Sequence, residues 1–485
     1  MVNYEEHVDS FAKKAHIASD LILGNPENVP NPWISYTVPT YKRPDFLKET
    51  LKSIIRQEEA DVLWEIVVVD NEAGGENDTE RMIRELNHDK ILYYRNRENL
   101  LVDGNVNRCI ELARGEWVAM VHADDLLISD HLLIMTKYIR EYEHKGKKPL
   151  AYISSAYFEF SDNRQVNLDW RSTGVRGYDG MSLIERIIIS REKNYDFSAP
   201  ELFRFRQIDG LMTGTSVFLP SNGTIMNKKV MLETGGFNDT FGICTDLVKP
   251  YALAKDYRVY KTVRPFGFYR LGHENESRRA GAIHEIATAC YYLTEYIYSK
   301  SLTARIWGNI ARDERFEVVI KYMLRYSRFG NLDLTERDFD DIHICKKGFP
   351  RAVRKLLFKL VMCFYSRDTN VFFRFINNRM KATCKILLKE FPLDSKLIIY
   401  GAGRAGYYAH KYLKKRHPEI DIAGFAITLR AGNPDEYEDL PVYTIDELEK
   451  YKDEWYFLVT VYPSTQPEIL EVLSKLEFKN VFYII

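Results

Sequence analysis

Short apolar runs alternate with segments of helical periodicity in the first third of the chain. The predicted strands are 34–38, 64–69, 91–94 and 117–122. The predicted helices between and after them are 45–57, 78–87, 104–113 and 130–143. Strands that read as continuous apolar runs are typical of a parallel sheet with helices on both faces. The pattern therefore predicts βαβ units in an α/β layer.

The rest of the chain divides into further segments. Residues 1–30 are predicted to be an N-terminal helical extension, and 31–280 the first α/β domain. Apolar residues at three-to-four spacing predict a helical middle segment over 281–390. Strand-like runs return near residue 397 and alternate with a helix at 407–416. These runs predict a small Rossmann-like α/β domain over 391–485.

Composition and charge narrow the class of partner. Of the 485 residues, 45% are hydrophobic and 28% are charged, which is typical of a globular protein. The 68 Lys and Arg nearly balance the 69 Asp and Glu, for a net charge of −1. No global field attracts polyanions, and we recognise no nucleic-acid-binding motif, so no nucleic-acid partner is expected.

The cysteines and the apolar runs indicate where in the cell the protein is expected to be located. The six cysteines are scattered without a C-x-x-C pair, which predicts reduced thiols in a cytoplasmic protein, without disulfides or zinc. The N-terminus lacks the apolar core of a signal peptide. No run approaches the ~18 apolar residues that a membrane span needs. We expect a soluble protein or one that lies on a membrane surface.

A basic stretch covers residues 346–389, where Asp368 is the sole acidic residue. Its basic residues are interleaved with apolar ones, as in an amphipathic helix at an anionic membrane surface. The alternative is a solvated basic face on helices that pack against the other domains. A lipid-linked substrate and a location at the inner face of the plasma membrane would fit the first interpretation.

Polar residues follow the predicted strands where ligands bind in open α/β sheets, beyond the carboxyl ends. They include Thr40 with Arg43, Asp70, and the acidic pair Asp124 and Asp125. Two neighbouring carboxylates repel unless a proton or a metal compensates, and Mg²⁺ or Mn²⁺ with a diphosphate would do so. The alternative is that one of the pair caps the following helix.

Several motifs in order along the chain resemble those of the family-two glycosyltransferases of GT-A fold. The motifs are Val38-Pro39-Thr40-Tyr41-Lys42-Arg43-Pro44, Val67-Val68-Val69-Asp70-Asn71, Asn99 with Gly104 and Asn107, Ala113-Arg114-Gly115-Glu116-Trp117-Val118, Ala123-Asp124-Asp125, Gly235-Gly236-Phe237, Thr245-Asp246-Leu247, and Tyr269-Arg270 with His273. The resemblance covers about residues 31–280. It implies a mixed sheet with helices on both faces.

The resemblance implies a role for each matching position. The implied donor-binding residues are Pro39, Thr40, Arg43, Asp70, Asn99, Asn107 and Asp124. Among these, Asp70 would accept a hydrogen bond from the nucleotide base. Asp124, with Asp125 beside it, would hold a divalent metal on the donor diphosphate, and His273 would meet the metal or diphosphate from the C-terminal side.

Asp246 matches the family's general base, which takes the proton of the acceptor hydroxyl as its oxygen attacks the anomeric carbon. Such a base contributes roughly 10²- to 10⁴-fold to the rate, and a cation stabilises the departing diphosphate. The implied enzyme is an inverting hexosyltransferase that uses Mn²⁺ or Mg²⁺. It would move a sugar, most simply from a UDP-sugar, to a saccharide or lipid-linked saccharide in bacterial surface polysaccharide or capsule synthesis.

Four positions depart from the family pattern. Asn71 and Glu72 replace the usual Asp-Gly after Asp70, at the position that bears on the nucleotide base. His122 stands where many members carry the first acid of a D-x-D motif, and Thr245 replaces a glutamate before the base. The expected metal site therefore depends mainly on Asp124.

A glycine run in the C-terminal domain, Gly401, Gly403 and Gly406, follows a strand and opens a helix, the context of a dinucleotide fingerprint. NAD would also need an acidic residue about 20 positions on, where the chain has Ile427 and Thr428. The domain is similar to small Rossmann-like modules of bacterial sugar-modifying enzymes, which bind nucleotide sugars. The alternative is a fold that serves packing or dimerisation.

Two rival functions remain. Sugar-1-phosphate nucleotidyltransferases share the α/β plan but carry a glycine-rich loop after the first strand. Residues 39–44 contain no glycine, so this function is disfavoured. The second rival is a non-catalytic scaffold that binds nucleotide sugars.

Overall fold

The computed structural model divides the chain into two compact units. One comprises residues 1–157 and 202–366, and the other 158–201 and 367–485. The residues described are 3–57, 60–161, 202–207, 222–271, 280–329, 334–342, parts of 350–392, 394–402, 404–428, 435–461 and 466–483.

The first unit is built on a large mixed sheet. Its strands are β1 (Ser19–Leu23), β2 (Ile34–Thr40), β3 (Trp64–Asp70), β4 (Ile91–Asn96), β5 (Trp117–Met120), β6 (Leu126–Leu127), β7 (Leu150–Ser161), β8 (Leu202–Phe205), β9 (Thr224–Asn227) and β10 (Arg258–Leu271). Its helices are α1 (Pro44–Ile55), α2 (Asp78–Leu86), α3 (Leu101–Leu112), α4 (His131–Tyr142), α5 (Lys228–Glu233), α6 (Thr245–Leu253), α7 (Ala280–Ser299) and α8 (Leu302–Phe329).

The sheet order is β1-β4-β3-β2-β5-β9-β7-β10-β6, with β8 paired to β10. The four strands β4, β3, β2 and β5 are parallel, and β9 continues the sheet antiparallel to β5. The chain winds outward from β2 to β3 and β4, and then returns to place β5 on the other side of β2. This reversal makes a topological switch point between β2 and β5, where α/β sheets open a ligand crevice.

Helices cover both faces of the sheet. On one face Tyr36 and Val68 pack with Leu47 of α1. On the other, Val118 and Met226 pack in a cluster that includes α3, α5, α6 and α7. Strand residues contribute to both clusters because a strand has a two-residue period, so that successive side chains point to opposite faces of the sheet. The predicted α/β layer and its helices on both faces are confirmed.

A buried ion pair joins the starts of the central strands. Glu65 is fully buried, and its carboxylate accepts hydrogen bonds from Ser35 Oγ (2.6 Å) and from Nη2 (2.6 Å) and Nε (2.8 Å) of Arg114. Arg114 also donates to the carbonyls of Pro26 and Val29, both at 2.9 Å. The pair thus links β2, β3, the turn before β5 and the N-terminal segment.

The predicted helical extension over residues 1–30 is wrong. Residues 12–14 and 26–28 form single 3₁₀ turns, and Ser19–Leu23 is β1, antiparallel to β4. Gly24 takes a left-handed φ of +97°, which helical residues do not adopt. The segment pairs with an otherwise open sheet edge, and this pairing satisfies its backbone without a helix.

The middle segment is helical where it is described, but it is not separate from the first domain. Leu293 and Ile297 of α7 and Trp307 of α8 join the same apolar cluster as Met226 and Phe237. The structure therefore places the unit boundary at residue 366 rather than at 280. Most of the predicted basic segment 346–389 lies outside the described residues.

The second unit has its own sheet. Its strands are β11 (Lys396–Tyr400), β12 (Asp421–Ile427), β13 (Glu436–Tyr437), β14 (Leu440–Thr444), β15 (Tyr456–Val459) and β16 (Val481–Tyr483), and its helices are α9 (Arg404–Arg416), α10 (Ile445–Leu448) and α11 (Gln466–Lys475). The order is β13-β14-β12-β11-β15-β16, parallel except for β13. This is a doubly wound order, as the Rossmann-like prediction requires.

Among the helices in the described ranges, none is long and apolar enough to pass through a bilayer.

Two glycine substitutions in the first unit should have opposite effects. A Cβ at Gly115 would lie 2.7 Å from the Ser35 backbone nitrogen, so we expect Gly115→Ala to cost about 1–3 kcal/mol through overpacking. Gly281, in α7, has nothing within 4 Å of a built Cβ. Gly281→Ala should leave the unfolding midpoint unchanged or slightly raised, because alanine favours helix. Equal midpoints of chemical unfolding for the two variants would contradict this packing.

Candidate functional site

The crevice at the switch point is bordered by the carboxyl ends of β2 and β3, where Thr40 and Asp70 are register partners. Asp70 is fully buried, and its carboxylate accepts hydrogen bonds from the Glu72 backbone N–H (2.9 Å), Asn77 Nδ2 (2.9 Å) and the Tyr93 hydroxyl (2.8 Å). Three donors hold this carboxylate in one orientation. Thr40 is buried too, and its hydroxyl has no hydrogen-bond partner within the described part of the chain.

An amide network beside Asp70 ties the end of β3 to the start of α3. Asn71 Nδ2 donates to Asn99 Oδ1 (2.7 Å), which also accepts the Leu101 backbone N–H (2.8 Å). Behind it, Asn105 Nδ2 donates to the Val69 carbonyl at 3.0 Å. The structure thus brings the exposed Asn99 to the predicted sheet edge. The role of Asn105 was not predicted, since a single asparagine within a helix gives no signal.

Asp124 and Arg43 meet across the crevice. Nη1 of Arg43, which directly precedes α1, lies 2.7 Å from Oδ2 of Asp124, in the turn after β5. The Asp124 side chain is 15% exposed, so the pair stands at the mouth rather than in the core. A guanidinium therefore already neutralises the carboxylate predicted to bind a metal, and any cation there competes with Arg43. Pro39 is half-buried beside this mouth.

Asp125 does not share this mouth. It is fully buried, its Oδ1 accepts the Arg270 backbone N–H at 2.8 Å, and its Oδ2 has no partner among the described residues. Burial, with the neighbouring Asp124 carboxylate, raises the pKa of Asp125 well above its usual range. Such a side chain favours the neutral acid, which is a poor metal ligand. This differs from the prediction that Asp125 assists at the metal.

Arg270 holds the turn that carries Asp124 and Asp125. Its Nε donates to the Asp124 carbonyl (2.8 Å), its Nη2 to Glu49 Oε2 (2.5 Å), and its guanidinium lies 4.5 Å from the centre of the Phe46 ring. The turn after β5 is thereby fixed to α1. Neither Glu49 nor Phe46 was predicted, since both read as ordinary helix residues. His273 lies outside the described residues.

Burial lowers the pKa of His122, against the opposing influence of the Asp124 carboxylate. At neutral pH the imidazole is therefore expected to be neutral.

Asp246 lies in the first turn of α6, on the opposite face of the sheet from α1. Burial raises the pKa of Asp246 to about 7, and the Asp103 carboxylate on α3 adds to the rise. Burial, with Asp239 nearby, also raises the pKa of Asp103, to about 6. The fold therefore gathers carboxyl groups from three separate segments. Asp103 was not predicted, because only the tertiary structure brings α3 and α6 together.

Asn107 holds the loop that leads to Asp246. Its Oδ1 accepts the Phe237 backbone N–H and its Nδ2 donates to the Phe237 carbonyl, each at 2.8 Å. Gly236 has a φ of +70°, and a Cβ there would lie 2.5 Å from Asn107 Oδ1. Both amide atoms are thus engaged in a buried contact with the loop that precedes α6. This differs from the prediction that Asn107 binds the donor.

A buried lysine fixes the other end of that loop. Nζ of Lys249, on α6, donates to the Thr234 carbonyl (2.8 Å) and to Thr234 Oγ1 (2.9 Å). Burial lowers the pKa of Lys249 to about 7. The side chain therefore holds α6 against the residue that precedes Gly235.

In the second unit, Gly401 and Gly406 allow the start of helix α9 to lie close to the backbone that follows β11. Gly401 has a φ of +115°, and a Cβ at Gly406 would lie 1.9 Å from the Gly401 carbonyl oxygen. At the end of the neighbouring strand the Thr428 hydroxyl lies 2.8 Å from the Tyr400 hydroxyl. Helix–strand packing accounts for these two glycines without a ligand, and Gly403 lies outside the described residues.

Fold and site together define the first unit as an α/β domain whose switch point, the place where such sheets bind ligands, is bordered by a charged pair. Residues 35–178 match the family model described as glycosyl transferase family 2. The match bears out, over these residues, the family resemblance that the motifs of the N-terminal domain predicted.

Curated relatives align with only part of their length. An abequosyltransferase of Salmonella typhimurium is 37% identical over 109 residues, 22% of this chain and 32% of that protein. A GalNAc(5)-diNAcBac-PP-undecaprenol beta-1,3-glucosyltransferase of Campylobacter jejuni is 33% identical over 117 residues, 23% of this chain and 37% of that protein. The chain thus spans about a third of the length of these relatives.

Solved structures give more distant likenesses. A mannosyltransferase from Pyrobaculum calidifontis in complex with GDP-Man and Mn²⁺ has a TM-score of 0.38 at 14% identity, covering 73% of this chain and 86% of that chain. Residues 1–349 of S. aureus TarS in complex with UDP give a TM-score of 0.36 at 15% identity, covering 64% and 89%.

Lys249 should make stability depend on pH. Because its pKa is about 7 in the folded state and about 10.5 when unfolded, the unfolded chain binds more protons between these values. The Lys249 contribution to the free energy of unfolding should therefore rise with pH across this window, by at most about 1.4 kcal/mol per pH unit. Denaturant unfolding of Lys249→Met should lack this rise. Lys229→Met, whose side chain is 81% exposed, is the control and should keep it. Parallel pH profiles for wild type and Lys249→Met would contradict the assignment.

Proposed function

We propose that the protein is an inverting, metal-dependent glycosyltransferase of bacterial surface polysaccharide synthesis. It would move a hexose from a nucleotide sugar, most simply a UDP-sugar, to a hydroxyl of a saccharide or lipid-linked saccharide. The observation that carries this proposal is the family 2 match, which covers the switch-point crevice and its charged mouth. The name of the Campylobacter relative supports the lipid-linked acceptor, since it specifies an undecaprenol-linked saccharide.

Donor binding is proposed at the crevice. The fixed carboxylate of Asp70 has lone pairs left for a base N–H, and the Thr40 hydroxyl is free to bond to the ribose. Pro39 and Asn99 would line the same edge. Arg43 can turn from Asp124 to a nucleotide when a metal replaces it, because a guanidinium binds phosphate as well as carboxylate.

The residues at the mouth fit a divalent cation held largely by the substrate. Asp124 offers one carboxylate, and no group of three or more His, Cys, Asp or Glu that could hold a metal occurs among the described residues. Mg²⁺ and Mn²⁺ with one or two carboxylates and substrate phosphates need no larger protein cage. Asp124 would hold the ion, with His273 as a further proposed ligand, and the ion would neutralise charge on the leaving diphosphate.

Asp246 is proposed as the general base. Its carboxylate takes the proton of the acceptor hydroxyl while that oxygen forms a bond to the anomeric carbon. The bond from the anomeric carbon to the diphosphate oxygen breaks, and its electron pair leaves with the nucleotide. A single displacement of this kind inverts the anomeric configuration. A pKa of about 7 suits this role, because a base works best when its pKa lies near the working pH.

Contact with an anionic membrane is proposed through residues 346–389. Val353 and Leu356 are exposed apolar residues within this basic segment, as a surface that lies on lipid requires. The proposed place of action is the cytoplasmic side of the plasma membrane.

Asp246→Asn should abolish transfer while leaving the affinity for UDP with Mn²⁺ unchanged, because the amide cannot accept the proton. A screen of nucleotide sugars for Mn²⁺-dependent release of nucleoside diphosphate identifies the donor for this assay. In wild type, kcat/KM should rise with pH to a plateau above about 7. Asp103→Asn should retain turnover and move this limb to lower pH, because it removes a neighbouring negative charge. Near-native turnover by Asp246→Asn would exclude it as the base.

Asp124 and Asp125 should behave differently although they are adjacent. Asp124→Asn should lose roughly 10²-fold or more in Mn²⁺-dependent donor hydrolysis, since a charged group that stabilises the leaving group is removed. Asp125→Asn is its matched control and should stay within a few-fold of wild type, because the buried acid already favours its neutral form. Activity of Asp124→Asn that persists in a chelator would exclude the metal role.

A further inference from the structure

The N-terminal residues 3–17 are here called the N-terminal strap. They lie along residues 235–244, the loop that precedes Asp246. The Ser10 backbone N–H donates to the Gly235 carbonyl at 3.0 Å. The Tyr4 ring stacks on the Phe241 ring with centroids 5.0 Å apart. Contacts therefore connect the strap to both ends of the loop.

The fit between strap and loop is close enough to require glycine. A Cβ at Gly235 would lie 2.0 Å from the Val8 carbonyl oxygen, and one at Gly236 would lie 2.7 Å from Cζ of Phe11. Asn107 Oδ1 of α3 would lie 2.5 Å from the same Cβ of Gly236. The glycine pair is thus packed against the strap and α3, which leaves this part of the loop little room for a side chain.

The strap is itself anchored to helices. The Arg108 guanidinium of α3 donates to the Ile17 carbonyl (2.7 Å) and the Lys14 carbonyl (3.1 Å). At the other end, the Tyr296 hydroxyl of α7 donates to Asn3 Oδ1 at 2.7 Å, and Glu5 pairs with Lys300. An element fixed at two separate places can hold the loop between them.

The loop has little regular structure of its own to define its position. Asp239–Cys244 is a 3₁₀ segment interrupted at Gly242, whose φ is +50°, and it joins directly to α6 at Thr245. Asp239 forms an ion pair with Lys13 of the strap. Because Asp246 is the second residue of α6, the path of this segment sets where its carboxylate lies.

We propose that the N-terminal strap positions Asp246 for transfer, with Tyr4 and Lys13 as its positioning residues. The inference rests on the proposed function, since it concerns the proposed base. A displacement of about 1 Å at a catalytic group can cost about 10²-fold in rate. The strap therefore affects the rate of transfer through the loop, without contact with the reacting atoms.

Tyr4→Ala in the full chain tests the contact, and Tyr138→Ala is its matched control. Both tyrosines are largely buried, at 7% and 5% exposure, but Tyr138 packs on Phe266 in the other apolar cluster. Hydrogen exchange measured by mass spectrometry should become faster in peptides covering 237–247 for Tyr4→Ala only. Tyr4→Phe, which keeps the ring, should restore protection. Unchanged exchange in Tyr4→Ala would overturn the proposal.

Kinetics separate positioning from a merely structural role. With the donor from the screen, Tyr4→Ala should lower kcat by roughly 10- to 100-fold and leave the affinity for UDP with Mn²⁺ unchanged. Tyr138→Ala should show no such split. If Tyr4→Ala fails to fold, Lys13→Met should lower kcat in the same direction by a few-fold, because an exposed ion pair contributes little, and its loss spares the core since Lys13 is 40% exposed. Lys13→Arg, which keeps the charge, should retain the wild-type kcat.

The outcomes distinguish the two proposals. A wild type that turns over no nucleotide sugar would overturn the proposed function, while the exchange measurements would still decide whether the strap holds the loop. A wild type that transfers sugar, with an unchanged kcat in Tyr4→Ala and Lys13→Met, would overturn positioning alone.

Discussion

The buried pair of Glu65 and Arg114 is the constraint on which the first unit depends. A carboxylate without solvent must be paired, and here four hydrogen bonds from Ser35 and Arg114 satisfy it. These bonds hold the starts of β2 and β3 in line with the turn into β5. With the starts aligned, the parallel register brings Thr40 and Asp70 together at the far ends. The crevice is thus a consequence of a contact made at the opposite edge of the sheet.

The two halves of the candidate site are held by different means. On the proposed donor side, Arg270 fixes the turn that carries Asp124 to α1 with charged hydrogen bonds and a ring contact. On the proposed acceptor side, backbone contacts dominate, with Asn107 and the N-terminal strap packed against a pair of glycines. Fixed charged groups suit the proposed diphosphate leaving group, which develops the same negative charge in every turnover. The close contacts around the glycines suit the proposed base, because its carboxylate must keep one position for transfer.

Burial gives the acidic residues distinct electrostatic properties. Asp125 lies within the fold and favours the neutral acid, Asp246 has a pKa near 7, and Asp124 is paired with a guanidinium at the surface. Asp124 and Asp125 are adjacent in the sequence, but one is an ion-paired carboxylate and the other favours the neutral acid. The difference arises because successive residues of a tight turn point in different directions, one outward and one into the core.

The sequence by itself determined the order of the strands and helices over residues 34–120 and the α/β class of both units, because apolar periodicity and turn residues act locally. Its motifs also indicated the family whose model matches residues 35–178. It also indicated Thr40, Asp70 and Asp124 as strand-end residues, since the carboxyl ends of parallel strands meet at one edge. Only the tertiary structure decided that residues 19–23 pair with a sheet edge, that Asn107 binds a backbone 130 positions away, and that Asp103 lies near Asp246. These contacts join segments distant in sequence, and no local pattern records which distant groups will satisfy a hydrogen bond or share a buried site.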